Sequence, residues 1–148
     1  MIALGCDHGG YKLKEEIKKY FEEIGLEYKD FGTYSEERVD YPIYASEVAK
    51  SVQSKECESG ILICKSGLGM TIFANKYRGI RCAACYDEET AKQAKEHSNV
   101  NILALPGSYV TVSQAIRIIR IWIASEFLGG RYQERLHMIE DIESDNMK

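Results

Sequence analysis

The chain has no basic surplus: 19 lysines and arginines stand against 23 aspartates and glutamates, for a formal charge of −4. Without a broad cationic footprint, nucleic acid is not an expected partner. Long apolar runs are missing as well, and none approaches the ~18 residues that a membrane-spanning helix needs. The opening stretch, MIALGCDHGG, has neither the basic flank nor the extended apolar core of a secretion signal. A cytoplasmic protein with no membrane partner is the expectation. Repeats, low-complexity tracts and linkers are absent, and 148 residues suit a single domain, 1–148, better than two. Two glycine signatures are lacking too. The first strand-to-helix turn reads GCDHGGYK rather than G-x-G-x-x-G, and G-x-x-x-x-G-K-[ST] does not occur, which counts against a dinucleotide or flavin module and against a P-loop.

Cysteine is present but not in a pairing pattern. Five residues, at 6, 57, 64, 82 and 85, make an odd number in a chain without a secretion signal, so free thiols are expected. Cys82 and Cys85 spell C-x-x-C inside the strand-like run GIRCAACY. Residues three apart on a strand face opposite ways, so a shared redox or zinc site is not expected of them.

What the chain does have is short apolar runs separated by helical patterns. Residues 2–6, 27–32, 60–64, 80–85 and 101–105 are strand candidates. Between them, YKLKEEIKKYFEEIG places Leu13, Ile17, Tyr20, Phe21 and Ile24 on one helical face, with charges elsewhere. YPIYASEVAKSVQS forms a helix with Pro42 near its start, and 112–128 forms one with a stripe of Ile116, Ile119, Ile123 and Phe127. A last amphipathic stretch from Arg131 to about Glu143 carries Leu136, Ile139 and Ile142. Five β-α units in series predict a Rossmann-like α/β three-layer sandwich: a five-stranded parallel sheet with helices on both faces. Ligands in such folds bind at the carboxyl ends of the strands.

Chemistry-bearing residues gather at those ends. Asp7 and His8 follow the first strand; a turn in which Asp7 caps the next helix is the simpler reading, and His8 beside it adds a functional one. Cys64 closes the third strand and precedes KSGLG, where a helix start favours the thiolate and amides after Gly67 would hold an oxyanion. His97 and Asn99 lie in EHSNVN, before the fifth strand. Arg131 and Arg135 in GGRYQER are i,i+4 and suit a phosphate.

The ordered set GCDHGGYKLK, VDYPIYA, GILIC-SG-G, ANKYRGIR, HSNVNILAL and GGRYQER resembles the ribose-5-phosphate isomerase type B family, which also includes galactose-6-phosphate isomerase subunits. The resemblance covers nearly the whole chain. It implies an aldose–ketose isomerase of a sugar phosphate, working through a cis-enediolate without metal or organic cofactor, in a homodimer or dimer of dimers whose subunits share each active site. Carried over by motif, Cys64 is the base, Ser66 moves the hydroxyl proton, and His97 assists ring opening. Asp7 and Asp40 hydrogen-bond sugar hydroxyls, and His8, Arg131 and Arg135 hold the phosphate. Tyr41, Gly67, Gly69, Met70 and Asn99 complete the implied substrate-binding set. Three positions depart from the family's usual pattern: Lys65 stands for glycine, Ser98 for asparagine, and Tyr109 for an arginine that reaches the phosphate. Ribose 5-phosphate is the first substrate implied, with allose or galactose 6-phosphate as alternatives and a non-catalytic binding module behind them.

Overall fold

The computed structural model describes residues 1–147. Strands β1 (Ile2–Cys6), β2 (Tyr28–Asp30), β3 (Ser59–Cys64), β4 (Cys82–Ala84) and β5 (Ile102–Pro106) alternate with helices α1 (Tyr11–Ile24), α2 (Tyr41–Gln53), α3 (Leu68–Ala74), α4 (Glu88–Ser98), α5 (Val112–Ala124) and α6 (Arg131–Asn146). Every strand pair is parallel, in the order β2-β1-β3-β5-β4. β1, β3 and β5 are apolar along almost their whole length because both of their faces are covered.

The twofold alternation of strand side chains divides the core in two. Ile61 and Ile63 of β3 face α1, α4 and α5, together with Leu103 and Leu105 of β5, Phe21 and Trp122. Leu62 and Cys64 face α2 and α3, among Ala45, Val48, Ala49, Met70 and Ala74. Cys82 belongs to the second cluster and Cys85 to the first, so the C-x-x-C thiols lie on opposite faces of the sheet. All five cysteines are free.

Several helical details differ from the sequence reading. Lys14, on the apolar side of α1, is fully buried; its ammonium donates to Asp30 Oδ1 and to the Thr33 carbonyl. Lys18 Nζ lies 2.9 Å from the other Asp30 oxygen, an ion-pair contact without hydrogen-bond alignment. Burial alone would raise the Asp30 carboxyl, but the two lysines and the Gly32 N–H hold it below its ordinary value. Ile24, assigned to the same face, is exposed at the last turn.

Helix α5 ends at Ala124 rather than 128, since Ser125 takes extended backbone angles. The next residues run as loop, and Leu128 N–H donates to the Glu96 carbonyl. The buried stripe of α5 is Ala115, Ile118, Ile119 and Trp122, rotated from the predicted one: Ile116 is half-buried and Ile123 exposed. Apolar residues surround much of this helix, so periodicity alone did not set its phase. In α6 only Leu136 is buried, while Ile139 and Ile142 remain exposed.

Candidate active site

The chain turns from β1 to β2 on one side and has β3 on the other, so the order reverses between β1 and β3. This is where a doubly wound sheet opens a crevice at its carboxyl edge. Asp7 follows β1 directly, and Cys64 is the last residue of β3. The backbone joins these ends: Asp7 N–H donates to the Ile63 carbonyl at 3.2 Å, and Gly107 N–H to the Cys64 carbonyl at 2.8 Å.

Asp7 is buried and caps a 3-10 turn, His8–Gly10, that precedes α1; its Oδ1 accepts from Gly9 N–H at 2.9 Å and Gly10 N–H at 3.2 Å. Desolvation raises the carboxyl above its ordinary value against the opposing pull of His8 and those amides. Asp7 thus caps the turn through one oxygen, as the simpler reading expects, and its Oδ2 makes no hydrogen bond among the described residues. His8 Nδ1 accepts from Val39 N–H at 3.2 Å, which places the ring proton on Nε2.

Cys64 is buried, and its Sγ accepts the Gly67 N–H at 3.2 Å. Three other thiols are placed for inertness. Burial pushes Cys6 and Cys82 up to about 12 and Cys85 up to about 11. The loop turns at Gly67, whose φ of 79° is left-handed. Ser66 Oγ accepts from Leu68 N–H at 3.2 Å. The N–H groups of Gly69 and Met70 lie in the first turn of α3 and have no acceptor within the helix. The Met70 side chain is core, so only its backbone faces this chemistry. Tyr41, first residue of α2, lays its ring over the same turn: a Cβ on Gly69 would stand 2.7 Å from Tyr41 Cζ. Asp40 occupies the N-cap position of α2, is exposed, and makes no capping bond with its side chain. Lys65 is exposed.

The remaining site residues lie at the other end of the sheet. His97 is in the last turn of α4, and Asn99, left-handed at φ 44°, ends that helix. Both precede β5, whose first residue pairs with Gly60 and whose last pairs with Cys64. Four strand steps at ~3.3 Å separate the two ends by about 13 Å along the strand axis. His97 stacks on Tyr132, with ring centroids 4.5 Å apart and planes 6° from parallel. Arg131 Nη2 donates to Tyr132 Oη at 2.9 Å, and Arg135 lies 5.7 Å from the same ring. One chain therefore brings Asp7, His8, Tyr41, Cys64, Ser66, Gly67, Gly69 and Met70 together and sets His97, Asn99, Arg131 and Arg135 apart. Tyr132 and Tyr86, whose hydroxyl meets this loop, escaped the sequence reading. The arginines on either side of Tyr132 were a usable signal; nothing local marked Tyr86.

Fold and geometry define the class first: a Rossmann-like α/β enzyme with a cysteine and free amides at the carboxyl edge of a parallel sheet. The family model described as Ribose/Galactose Isomerase matches residues 2–139, and the chain belongs to that family. Ribose-5-phosphate isomerase B of Escherichia coli is 44% identical over 142 residues, covering 96% of this chain and 95% of that protein. The solved structure of Clostridium thermocellum ribose-5-phosphate isomerase B superposes with a TM-score of 0.96 at 45% identity, over 97% of each chain. The Mycoplasma genitalium enzyme, solved with bound ribulose 5-phosphate, gives a TM-score of 0.94 at 35% identity, covering 98% of this chain and 97% of that one.

Proposed function

We propose that the chain interconverts ribose 5-phosphate and ribulose 5-phosphate in a site completed by a second copy of itself. The observation that carries this is the Gly67 N–H aimed at Cys64 Sγ, beside free amides and Asp7, in a chain so similar to an enzyme solved with ribulose 5-phosphate. His97 of a second copy protonates the ring oxygen of the furanose as its bond to C1 breaks, and the anomeric O1–H proton leaves to solvent to give the C1 aldehyde, while Asp7 Oδ2 and Asp40 engage sugar hydroxyls. In the open chain, the Cys64 thiolate takes the proton from C2, and the C–H electron pair forms the C1–C2 double bond as charge moves onto O1. The Gly69 and Met70 amides receive that charge. Ser66 passes the hydroxyl proton from O2 to O1, and Cys64 returns its proton to C1, leaving the ketone at C2. The phosphate is held by His8 Nε2–H and by Arg131 and Arg135 from the second copy.

A second copy is supported by the separation of the two residue groups and by exposed apolar side chains near both. Ile43, Leu68 and Ile72 stand exposed on the helices beside Cys64, and Leu128 and Met138 flank the arginine end. Burying such side chains between subunits contributes roughly 25 cal/mol per Å².

A coupled assay on ribose 5-phosphate, allose 6-phosphate and galactose 6-phosphate tests the substrate. We expect kcat/KM for the pentose to exceed that for either hexose by about tenfold or more, because the extra carbon must fit between a fixed base and a fixed phosphate site. A hexose phosphate turned over faster than ribose 5-phosphate would overturn this assignment.

A further inference from the structure

Tyr86 stands two residues beyond β4, 45% exposed, outside the chemistry described so far. Its hydroxyl donates to the Ser66 carbonyl at 2.6 Å. That carbonyl and the Gly67 N–H are the two ends of one trans peptide group, and the N–H end donates to Cys64 Sγ. Phenol, amide and sulfur thus form a single chain of hydrogen bonds. In such a chain a donor on the carbonyl oxygen polarises the amide and strengthens its N–H as a donor.

The peptide also needs holding. Gly67 sits at φ 79°, and glycine crosses between backbone regions readily, so counter-rotation about the Ser66–Gly67 peptide would turn the N–H away from sulfur. The Tyr86 ring is itself supported by Tyr109, with centroids 6.5 Å apart and planes 29° from parallel. Tyr109, the residue found where the family's arginine is usual, therefore braces the ring that reaches the base-bearing loop.

We propose that Tyr86 is a positioning residue for the base, fixing the Ser66–Gly67 peptide so that its N–H stabilises the Cys64 thiolate. This rests on Cys64 being the base. Tyr86→Phe is the test, because it removes one hydroxyl and keeps the stacked ring. Iodoacetamide alkylation of Cys64, followed by mass spectrometry of its peptide across a pH series, reads the thiol without turnover. The pH of half-reactivity should rise by about half a unit, and kcat at neutral pH should fall about threefold with KM within about twofold. The melting temperature should stay within about 2 °C, since the side chain is half-exposed. An unchanged alkylation profile would overturn the proposal. A raised profile with unchanged kcat would keep the link from Tyr86 to Cys64 and overturn instead the base assignment on which its catalytic use rests.

Discussion

Cys64→Ala should lower turnover of the sugar phosphate by about 10²–10⁴-fold, the usual contribution of a positioned general base. The loss should fall on kcat, with little change in KM, because the thiolate acts on a proton that moves only in the transition state. The fold should survive. Cys64 closes β3 with its backbone already bonded to Gly107, and the substitution removes a single sulfur atom. Cys82→Ala provides the contrast: this thiol is equally buried but lies on β4, in contact with Thr71 rather than with the amide loop. Its loss should leave turnover near the wild-type level. Steady-state kinetics with circular dichroism on both variants checks the pair, and near-normal turnover in folded Cys64→Ala would remove the base.

The second large effect is a recovery. Cys64→Ala and His97→Ala should each be nearly inactive alone, yet mixing them under conditions that allow subunit exchange should restore activity to about a quarter of wild type. In a mixed dimer one site carries both substitutions and the other carries neither; random pairing makes half of the dimers mixed. The geometry behind this is the placement of His97 before β5 and of Cys64 at the end of β3, paired with the last residue of β5, about 13 Å along strands of fixed rise. If each site were built within one chain, the mixture would show only the sum of the two residual activities.

The strands could be read from the sequence because burial on both faces writes them as uninterrupted apolar runs, as in ILIC and ILAL. Edge strands were less legible. β2 and β4 are three residues each, shorter than the runs at 27–32 and 80–85 that announced them, since pairing on one side supports less ladder. The phase of α5 was hidden by apolar residues around its circumference. Lys14 was hidden by its charge, which the sequence cannot show to be met by Asp30 and a carbonyl from elsewhere in the chain. At the site, the residues tied to strand ends, Asp7 and Cys64, could be placed because an α/β sheet tells where strands finish. His97 was legible at the end of the helix before β5, but its distance from Cys64 was not, since that follows from the parallel register of β3 and β5. Tyr86 was invisible for a related reason: its hydroxyl meets a carbonyl twenty residues away in the chain.

Hydrogen exchange during isomerisation in D2O, followed by NMR with wild type and Cys64→Ala side by side, tests whether Cys64 moves the C2 proton. A thiolate that lifts the C2 proton into an enediolate exposes that proton to solvent, so the wild type should place deuterium at C1 of ribulose 5-phosphate and at C2 of recovered ribose 5-phosphate. Cys64→Ala should lose this exchange along with isomerisation. Complete retention of the original hydrogen over many wild-type turnovers, or exchange at the wild-type rate in folded Cys64→Ala, would contradict the account.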